Sequence, residues 1–206
     1  MRHTRLLLIR HAEVEANFQK VFGGRVGMVL SPRGRAQAGT LADFLRPMPL
    51  DAIYASPMLR VRETLAPLLG DGVPRPVESR ELREVDFGDW TGHGWGEVRE
   101  KFGISAYDWL LHLENGTIPN GESGKAFRQR VEPCLNDILQ KQAGQAVAIF
   151  CHGGVIRMIL SILLALPLSK MNVFEIDYAS VTEVSLAEDR TEIRLLNFTP
   201  WRDWSR

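Results

Sequence analysis

The sequence predicts an α/β fold, a three-layer αβα sandwich whose central sheet is mostly parallel, with a helical insertion over a site. Short apolar runs alternate with amphipathic helical patterns, serine-proline pairs mark helix starts, and one segment breaks this alternation. The chain has 206 residues, 45% of them hydrophobic and 24% charged, which is typical of a globular protein with a sizeable core. We therefore expect one domain over residues 1–206.

The predicted strands are of two kinds. Residues 4–9 form a continuous apolar run bounded by charge, which is typical of a strand buried on both faces of a parallel sheet. Residues 51–55 and 146–150 predict two further strands that are each followed by a helix. Residues 181–186 and 192–198 alternate in polarity around a polar turn, so they predict a hairpin at the end of the sheet.

Helices are predicted from capping signals and from apolar spacing. Ser31 and Ser56 each precede a proline, the pattern of an N-cap followed by the first helical residue. Pro133 lies inside the longest pattern and predicts a kink or a break there. The four predicted helices cover residues 32–46, 57–69, 122–142 and 155–166.

Residues 88–121 interrupt the alternation of strands and helices. This segment carries three tryptophans and a capping-box pattern from Ser105 to Asp108. A long irregular connection inside a compact domain is commonly functional. We expect a helical insertion that covers a site, and an exposed apolar face on it is compatible with either a monomer or a homodimer.

Composition excludes several classes of protein. Lys plus Arg total 25 and Asp plus Glu total 25, so the net charge is zero, which argues against a dedicated nucleic-acid binder. The two cysteines are too few for a disulfide framework and lack the spacing of a structural zinc site. The apolar runs are too short for a signal peptide or a membrane span. These observations predict a cytoplasmic protein with no nucleic-acid or membrane partner.

Polar residues follow three of the predicted strands, where each strand meets its helix. They are the pair Arg10-His11, the segment 56–60 that ends in Arg60, and the run His152-Gly153-Gly154. Because ligands bind at the carboxyl ends of parallel strands, these groups are expected to converge on one crevice. Two guanidinium groups, two imidazoles and the N–H groups of a helix start favour a phosphate dianion there.

A histidine in such a pocket can also attack phosphorus. Neutral imidazole is a competent nucleophile at neutral pH when its other ring nitrogen is held by a hydrogen bond. The departing alkoxide then needs a proton, which a protonated carboxylic acid in the pocket can supply and later recover from water. The chemistry therefore asks for one nucleophilic histidine and one carboxyl group.

Six blocks of sequence occur in the order and spacing of a known family. The chain thereby resembles the histidine phosphatase superfamily, in its phosphoglycerate-mutase-like branch, and most closely its α-ribazole and broad-specificity phosphatases. Together the blocks are highly specific, although each alone is weak. They are LLLIRHAEVEAN at 6–17, GRVGMVLSPRGRAQA at 24–38, DAIYASPMLRVRET at 51–64, ELREVDFGDWTG at 81–92, PNGES at 119–123 and CHGGVIR at 151–157.

The resemblance implies a role for each matching residue. It makes His11 the nucleophile that becomes phosphohistidine and Glu84 the proton donor to the leaving group. It requires no metal and no cofactor, since catalysis rests on positioning and on electrostatic stabilisation. The residues implied in binding the phosphoryl oxygens are Arg10, Arg60 and His152, assisted by Asn17 and the backbone of Gly153.

Two positions depart from the family pattern near the expected site. Ala12 replaces the glycine that usually follows the histidine, which is tolerable if its φ is negative. Cys151 stands where serine or threonine is common before the second histidine. Glu84 also has an alternative interpretation as a surface charge, because other acidic residues lie near it in sequence.

Three functions are compatible with these residues. The first is a metal-independent phosphomonoesterase acting on a small phosphorylated substrate, in which water takes the phosphoryl group from His11. The second is a mutase of the phosphoglycerate type, in which the substrate takes it back. The third is a non-catalytic phosphate-binding module. The complete set of expected site residues argues against the third, and the chain length and the PNGES block favour hydrolysis over the mutase.

Overall fold

A computed structural model describes residues 3–204 of the chain, which contain six strands in one mixed sheet. The strands are β1 (Thr4–Arg10), β2 (Ala52–Ala55), β3 (Val77–Glu78), β4 (Ala146–Cys151), β5 (Val181–Leu186) and β6 (Thr191–Phe198). They lie in the order β3-β2-β4-β1-β5-β6, in which the first four run parallel to one another and β5 is antiparallel to both β1 and β6. The mostly parallel sheet and its terminal hairpin are thereby confirmed.

Helices cover both faces of this sheet. The seven α-helices of the described range are α1 (Pro32–Leu45), α2 (Leu59–Leu65), α3 (Trp95–Phe102), α4 (Trp109–Glu114), α5 (Gly124–Lys141), α6 (Gly153–Leu163) and α7 (Pro200–Asp203). One face carries α1, α2 and α7, and the other carries α5 and α6 with α4 beside them. This arrangement confirms the three-layer αβα architecture.

The central strand β1 builds the cores on both faces. Leu6 and Leu8 point into the core under α5 and α6, while Leu7 and Ile9 point into the core under α1 and α2. All four side chains are buried. Since full burial of such a side chain contributes about 1.5–3 kcal/mol, the strand is held firmly between the layers. Its end, where the polar residues begin, is therefore well fixed.

The two serine-proline signals have different outcomes. Ser31 caps α1 as predicted, because its hydroxyl accepts a hydrogen bond from the backbone N–H of Gly34 at 2.9 Å. Ser56 does not cap α2, which begins at Leu59 with Met58 in the N-cap position. The Ser56 hydroxyl instead lies 2.9 Å from the imidazole of His152. The hydroxyl keeps a long local bond of 3.4 Å from the N–H of Met58, but its shorter contact is with a partner distant in sequence.

Two other local predictions are corrected by the structure. A break at Pro133 is wrong, because α5 continues through this proline, which lies on the exposed side of the helix, where water can satisfy the carbonyl it leaves unpaired; the alternative of a kink stays a prediction. The expected capping box from Ser105 to Asp108 does not form, because neither side chain makes a capping hydrogen bond.

Residues 88–121 contain α3 and α4 and pack against the core through Trp90, which is completely buried. Val21 and Gly94 form an isolated antiparallel bridge that ties this segment to the loop after β1. On its other side, the amide of Asn172 donates a hydrogen bond to the carbonyl of Tyr107 at 2.8 Å. These contacts place the segment beside the carboxyl ends of the parallel strands.

Candidate active site

A cavity of about 790 Å³ opens at the carboxyl ends of β1, β2 and β4. The three strand-to-helix junctions therefore converge as predicted from the sequence. Five of the predicted site residues line the cavity, namely Arg10, His11, Arg60, Glu84 and Gly153. His152 and Asn17 are absent from its lining.

The backbone around His11 is held by three neighbouring elements. The N–H of His11 donates to the carbonyl of Cys151 at 3.0 Å, and its carbonyl accepts from the N–H of Ala179 at 3.1 Å. The next N–H, that of Ala12, donates to the hydroxyl of Thr64 at 2.9 Å. The imidazole is thus presented from a short segment with little freedom to move.

Hydrogen bonding selects one tautomer of His11. Nδ1 lies 2.8 Å from the carbonyl oxygen of Ala12, which can only accept, so Nδ1 carries the proton. Nε2 then holds a free lone pair. The side chain is only 6% exposed, and its ring lies 5.3 Å from that of His152 and 5.6 Å from that of Tyr178.

Burial keeps His11 neutral. The pKa of its imidazole is lowered well below the ordinary value of 6.5, first by burial and then by the positive charges of Arg60 and Arg10. Only a weak opposing effect comes from the hydrogen bond to Ala12. A neutral imidazole beside two cations has the form that a nucleophile for phosphate requires.

Arg60 connects three parts of the site. Its Nε donates to Nδ1 of His152 at 3.2 Å, while Nη1 and Nη2 donate to the carbonyls of Val26 and Gly24 at 3.1 and 2.9 Å. The side chain is buried, and burial lowers the pKa of Arg60 to about 10, so the group stays charged at neutral pH. This residue both carries positive charge and shapes the cavity entrance.

His152 lies behind the cavity wall rather than in it. Nδ1 accepts from Arg60, so Nε2 carries the proton and donates to the Ser56 hydroxyl at 2.9 Å. The side chain is fully buried, and burial together with the nearby arginines holds its pKa well below 6.5. Both ring nitrogens are thus engaged with protein partners, which differs from the expected direct contact with phosphate.

Arg10 and Arg157 flank the first residue of α6. Nη1 of Arg10 donates to the carbonyl of Ile176 at 2.6 Å, and its guanidinium lies 4.1 Å from the ring centre of Tyr178. Arg157 donates to the carbonyls of Gly153 and Phe174 at 3.2 and 3.0 Å. The Nε atoms of both arginines are buried without a hydrogen-bond partner among residues 3–204. An anion at this point would meet two cations with unused donors.

Glu84 is oriented by two backbone N–H groups. Oε1 accepts from its neighbour Val85 at 3.0 Å, and Oε2 accepts from Gly154 at 3.2 Å. A methyl group on Gly154 would collide with Oε1, so a side chain at this position would displace the Glu84 carboxyl group. The carboxyl group therefore lies in the cavity against the first turn of α6, and the surface-charge interpretation of Glu84 is not supported.

The segment that presents Glu84 is held by Arg130 on α5. This guanidinium donates to the carbonyls of Arg83 and Glu84 at 2.8 and 3.2 Å and also to that of Glu81. It pairs with the carboxylate of Glu122 through two bonds of 2.6 and 2.9 Å, and both side chains are largely buried. The Arg130–Glu122 ion pair thus fixes the backbone of residues 81–84.

Asn17 has the least support of the predicted residues. It is exposed on a short 3-10 turn, and its neighbour Phe18 lines the cavity instead. Sequence reasoning also missed Arg157 and Arg130. Arg157 follows Gly153 by four residues, so helical spacing alone places both on one face of α6 and could have identified it. No signal in the sequence linked Arg130 to the segment around Glu84.

The two departures from the family pattern are accommodated locally. Ala12 is completely buried and is not among the residues with positive φ in the described range, so its methyl group causes no backbone strain. Cys151 is completely buried too, and burial raises the pKa of its thiol. It is a core residue that packs with the α5–α6 side of the sheet.

Within residues 3–204, no group of three histidine, cysteine, aspartate or glutamate side chains is placed to hold a metal ion. In the same range, no helix combines the length and the apolar character that crossing a membrane requires.

Replacing Arg130 by leucine is expected to lower the free energy of unfolding by about 3 kcal/mol, because it leaves the buried Glu122 carboxylate without its main partner. The matched control is Arg128→Leu on the same helix, whose pair with Glu132 is largely exposed and whose loss costs less than about 1 kcal/mol. Denaturant unfolding of the two variants measures both values. Equal losses would contradict the structural role of Arg130.

Stability is expected to fall as the pH drops below about 6.5. His11 and His152 stay neutral in the folded protein but take up protons near pH 6.5 when unfolded, so acid favours unfolding. Each contributes at most about 1.4 kcal/mol per pH unit between the unfolded and folded pKa values. Denaturant unfolding in phosphate-free buffer at pH 7.5, 6 and 5 measures the slope. His11→Gln should reduce the slope of the unfolding free energy against pH by the equivalent of about one proton taken up on unfolding. An unchanged slope would show that His11 is not held neutral.

Comparison with known proteins identifies the family to which this chain is similar. A family model, the histidine phosphatase superfamily (branch 1), matches residues 6–199. An adenosylcobalamin/alpha-ribazole phosphatase of Salmonella typhimurium is 30% identical over 94% of this chain and 96% of its own length. Phosphoserine phosphatase 1 of Hydrogenobacter thermophilus is 31% identical over 95% of this chain and 92% of its own length.

A similar backbone is found among solved structures. The alpha-ribazole phosphatase of Shigella flexneri superposes with a TM-score of 0.82 at 28% identity, covering 95% of this chain and 96% of that one. The family match covers nearly the whole described range, and the named relatives are phosphatases. The chain therefore belongs to the histidine phosphatase superfamily, branch 1, and is an enzyme of the phosphoric monoester hydrolase class.

Proposed function

We propose that this protein is a metal-independent phosphomonoesterase that hydrolyses small phosphorylated metabolites through a phosphohistidine on His11, with Glu84 as proton donor. The observation that carries the proposal is the state of His11. Its ring is buried beside Arg10 and Arg60, its Nδ1 proton is donated to Ala12, and its Nε2 has no partner among the described residues.

In the first step, the Nε2 lone pair of His11 attacks phosphorus and the bond to the leaving oxygen breaks. The protonated carboxyl group of Glu84 gives its proton to that oxygen, so an alcohol departs rather than an alkoxide. Charge on the phosphoryl oxygens is stabilised by Arg10 and Arg60 and by the N-terminus of α6 at Gly153.

In the second step, the Glu84 carboxylate takes a proton from water, which attacks the phosphorus of the phosphohistidine. The N–P bond breaks, its electron pair returns to Nε2 of His11, and phosphate leaves. The Nδ1 hydrogen bond to Ala12 keeps the ring in one orientation through both steps. Each group thereby returns to its starting state.

His152 has a positioning role in this proposal. Its contacts with Arg60 and Ser56 support the orientation of the Arg60 guanidinium, although its ring does not line the cavity. Asn17 is left without a role, since it is exposed and lies outside the lining. In this proposal the chain is one domain, and residues 88–121 cover the part of the cavity that would hold the leaving group.

Hydrolysis is favoured over a mutase because the relatives reported above are named as phosphatases. The two cysteines, Cys134 and Cys151, are unpaired, which supports a reducing, cytoplasmic setting. No step needs a residue from a second copy, so the proposal applies equally to a monomer and to a homodimer.

The test of the nucleophile is the covalent intermediate. The purified protein is expected to hydrolyse p-nitrophenyl phosphate with EDTA present and to form an acid-labile phosphoenzyme, which rapid quenching after labelled substrate detects. His11→Ala should abolish the phosphoenzyme and lower kcat by about 10³-fold or more, since the nucleophile is removed.

His3→Ala is the matched control, because His3 is exposed and lies outside the cavity. It should retain both signals, and circular dichroism checks that both variants fold. A phosphoenzyme that persists in His11→Ala would overturn the proposal. Isomerisation of 3-phosphoglycerate that depends on 2,3-bisphosphoglycerate would instead support the mutase.

The test of the proton donor uses leaving groups of different basicity. Glu84→Gln is expected to slow the hydrolysis of an alkyl phosphate by about 10²-fold or more, because the alkoxide needs a proton. The same variant should slow p-nitrophenyl phosphate only a few-fold, since p-nitrophenolate leaves unaided. Glu81→Gln, a neighbouring exposed carboxylate, is the control. Equal losses on both substrates would assign the proton to another group.

A further inference from the structure

The part of the cavity away from the phosphate site is lined by aromatic side chains. We call this part the outer wall and define it by Phe18, Phe87, Trp95, Tyr107, Trp109 and Phe174. Phe87 packs edge-on against Trp109 with ring centres 5.4 Å apart, and Trp95 packs in the same way against Tyr107, also at 5.4 Å. Two preformed aromatic pairs therefore face the cavity.

One of the two pairs is largely exposed, whereas Phe87 of the other pair is buried. Tyr107 is 73% exposed and Trp95 is 41% exposed, so both keep apolar surface available for contact. Exposed aromatic surface costs free energy in water, and a bound ring that covers it recovers that cost. The outer wall thus favours a flat, apolar group on the substrate.

Charge divides the cavity into two regions. The basic residues of the lining, Arg10, Arg60 and Arg157, come from the inner elements β1, α2 and α6. On the outer segments 87–109 and 172–178, the charged residues that line the described cavity are acidic, namely Asp108, Glu175 and Asp177. Asp177 is neutralised by Arg202 at 3.0 Å. Asp108 and Glu175 are both exposed, and Glu175 also lies close to Arg157.

We infer that the substrate is a phosphate monoester of an alcohol bearing a flat ring and no carboxylate, and that the outer wall accepts positive but not negative charge beside that ring. The inference rests on the proposed hydrolysis at His11 and specifies which leaving group the cavity accepts. An anionic substituent beside Tyr107 and Trp109 would approach the carboxylate of Asp108, and the segment 87–109 adds no basic side chain to the described lining of the cavity.

Arg157 could instead bind a carboxylate of the substrate. A carboxylate only a few bonds from phosphorus would lie near this guanidinium, at the inner end of the cavity. However, Nη1 and Nη2 of Arg157 already donate to the carbonyls of Gly153 and Phe174. Burial lowers the pKa of Arg157 to about 10, so the group stays charged at neutral pH, but the carboxyl groups of Glu84 and Glu175 lie close enough to offset part of that charge. Recognition of a small carboxylated ester is therefore the weaker expectation.

The experiment compares esters whose leaving oxygens have similar basicity. Benzyl phosphate is compared with ethyl phosphate for the effect of the ring, and with 4-carboxybenzyl and 4-(aminomethyl)benzyl phosphates for the effect of charge. We expect kcat/KM for benzyl phosphate to exceed that for ethyl phosphate and for 4-carboxybenzyl phosphate by about tenfold each. The aminomethyl ester should be at least as good as benzyl phosphate.

Matched variants assign the two effects to their residues. Tyr107→Ala should reduce the preference for benzyl over ethyl phosphate, while Leu111→Ala, an exposed apolar side chain of the same segment outside the cavity, should not. The double variant of Asp108→Asn with Glu175→Gln should bring the carboxybenzyl ester within about threefold of benzyl phosphate. Glu100→Gln, an exposed carboxylate outside the cavity, is its control.

The outcomes separate this inference from the proposed function. Turnover of all four esters at similar kcat/KM would overturn the inference alone. So would a preference for the carboxylated ester or for phosphoserine, and loss of that preference in Arg157→Met would then locate the carboxylate. Absence of turnover with every ester would overturn the proposed function and this inference together.

Discussion

The guanidinium of Arg60 is the group on which the organisation of the site depends. It is buried in the interior, where an unpaired charge is very costly, and it is stabilised there by one imidazole and two carbonyl groups. Those partners belong to the start of α6 and to the loop that follows β1. The hydrogen bonds of this one buried charge therefore connect the junction after β2, which holds Arg60, with the junction after β4, which holds His152, and with the loop at the entrance of the cavity.

The fold was largely predictable because it is encoded in local patterns. The apolar run at residues 4–9 predicted the strand between two helical layers, and the alternation at residues 181–186 and 192–198 predicted the terminal hairpin. For the same reason, His11 and Arg60 were predictable, since a position after a strand in a parallel sheet already locates a side chain near the ligand edge. These residues need only their own segment to be recognised.

The features that escaped prediction depend on partners far away in the chain. Ser56 has the local sequence of an N-cap, yet its hydroxyl contacts His152, 96 residues later. His152 occupies the expected junction, but the direction of its ring is decided by that serine and by Arg60. Arg130 contacts carbonyls nearly fifty residues before it, and backbone carbonyls leave no trace in the sequence. Periodicity and capping patterns contain no information about such contacts.

The contact between Glu84 and Gly154 has a consequence for how this sequence can change over generations. The carboxylate occupies the space that any side chain at position 154 would need, and its Oε2 accepts the N–H of that same residue. The effect of a substitution at either position therefore depends on the residue at the other, although 70 residues separate them. The two positions are therefore expected to change together, because any side chain at position 154 would move the Glu84 carboxyl group away from its N–H partners.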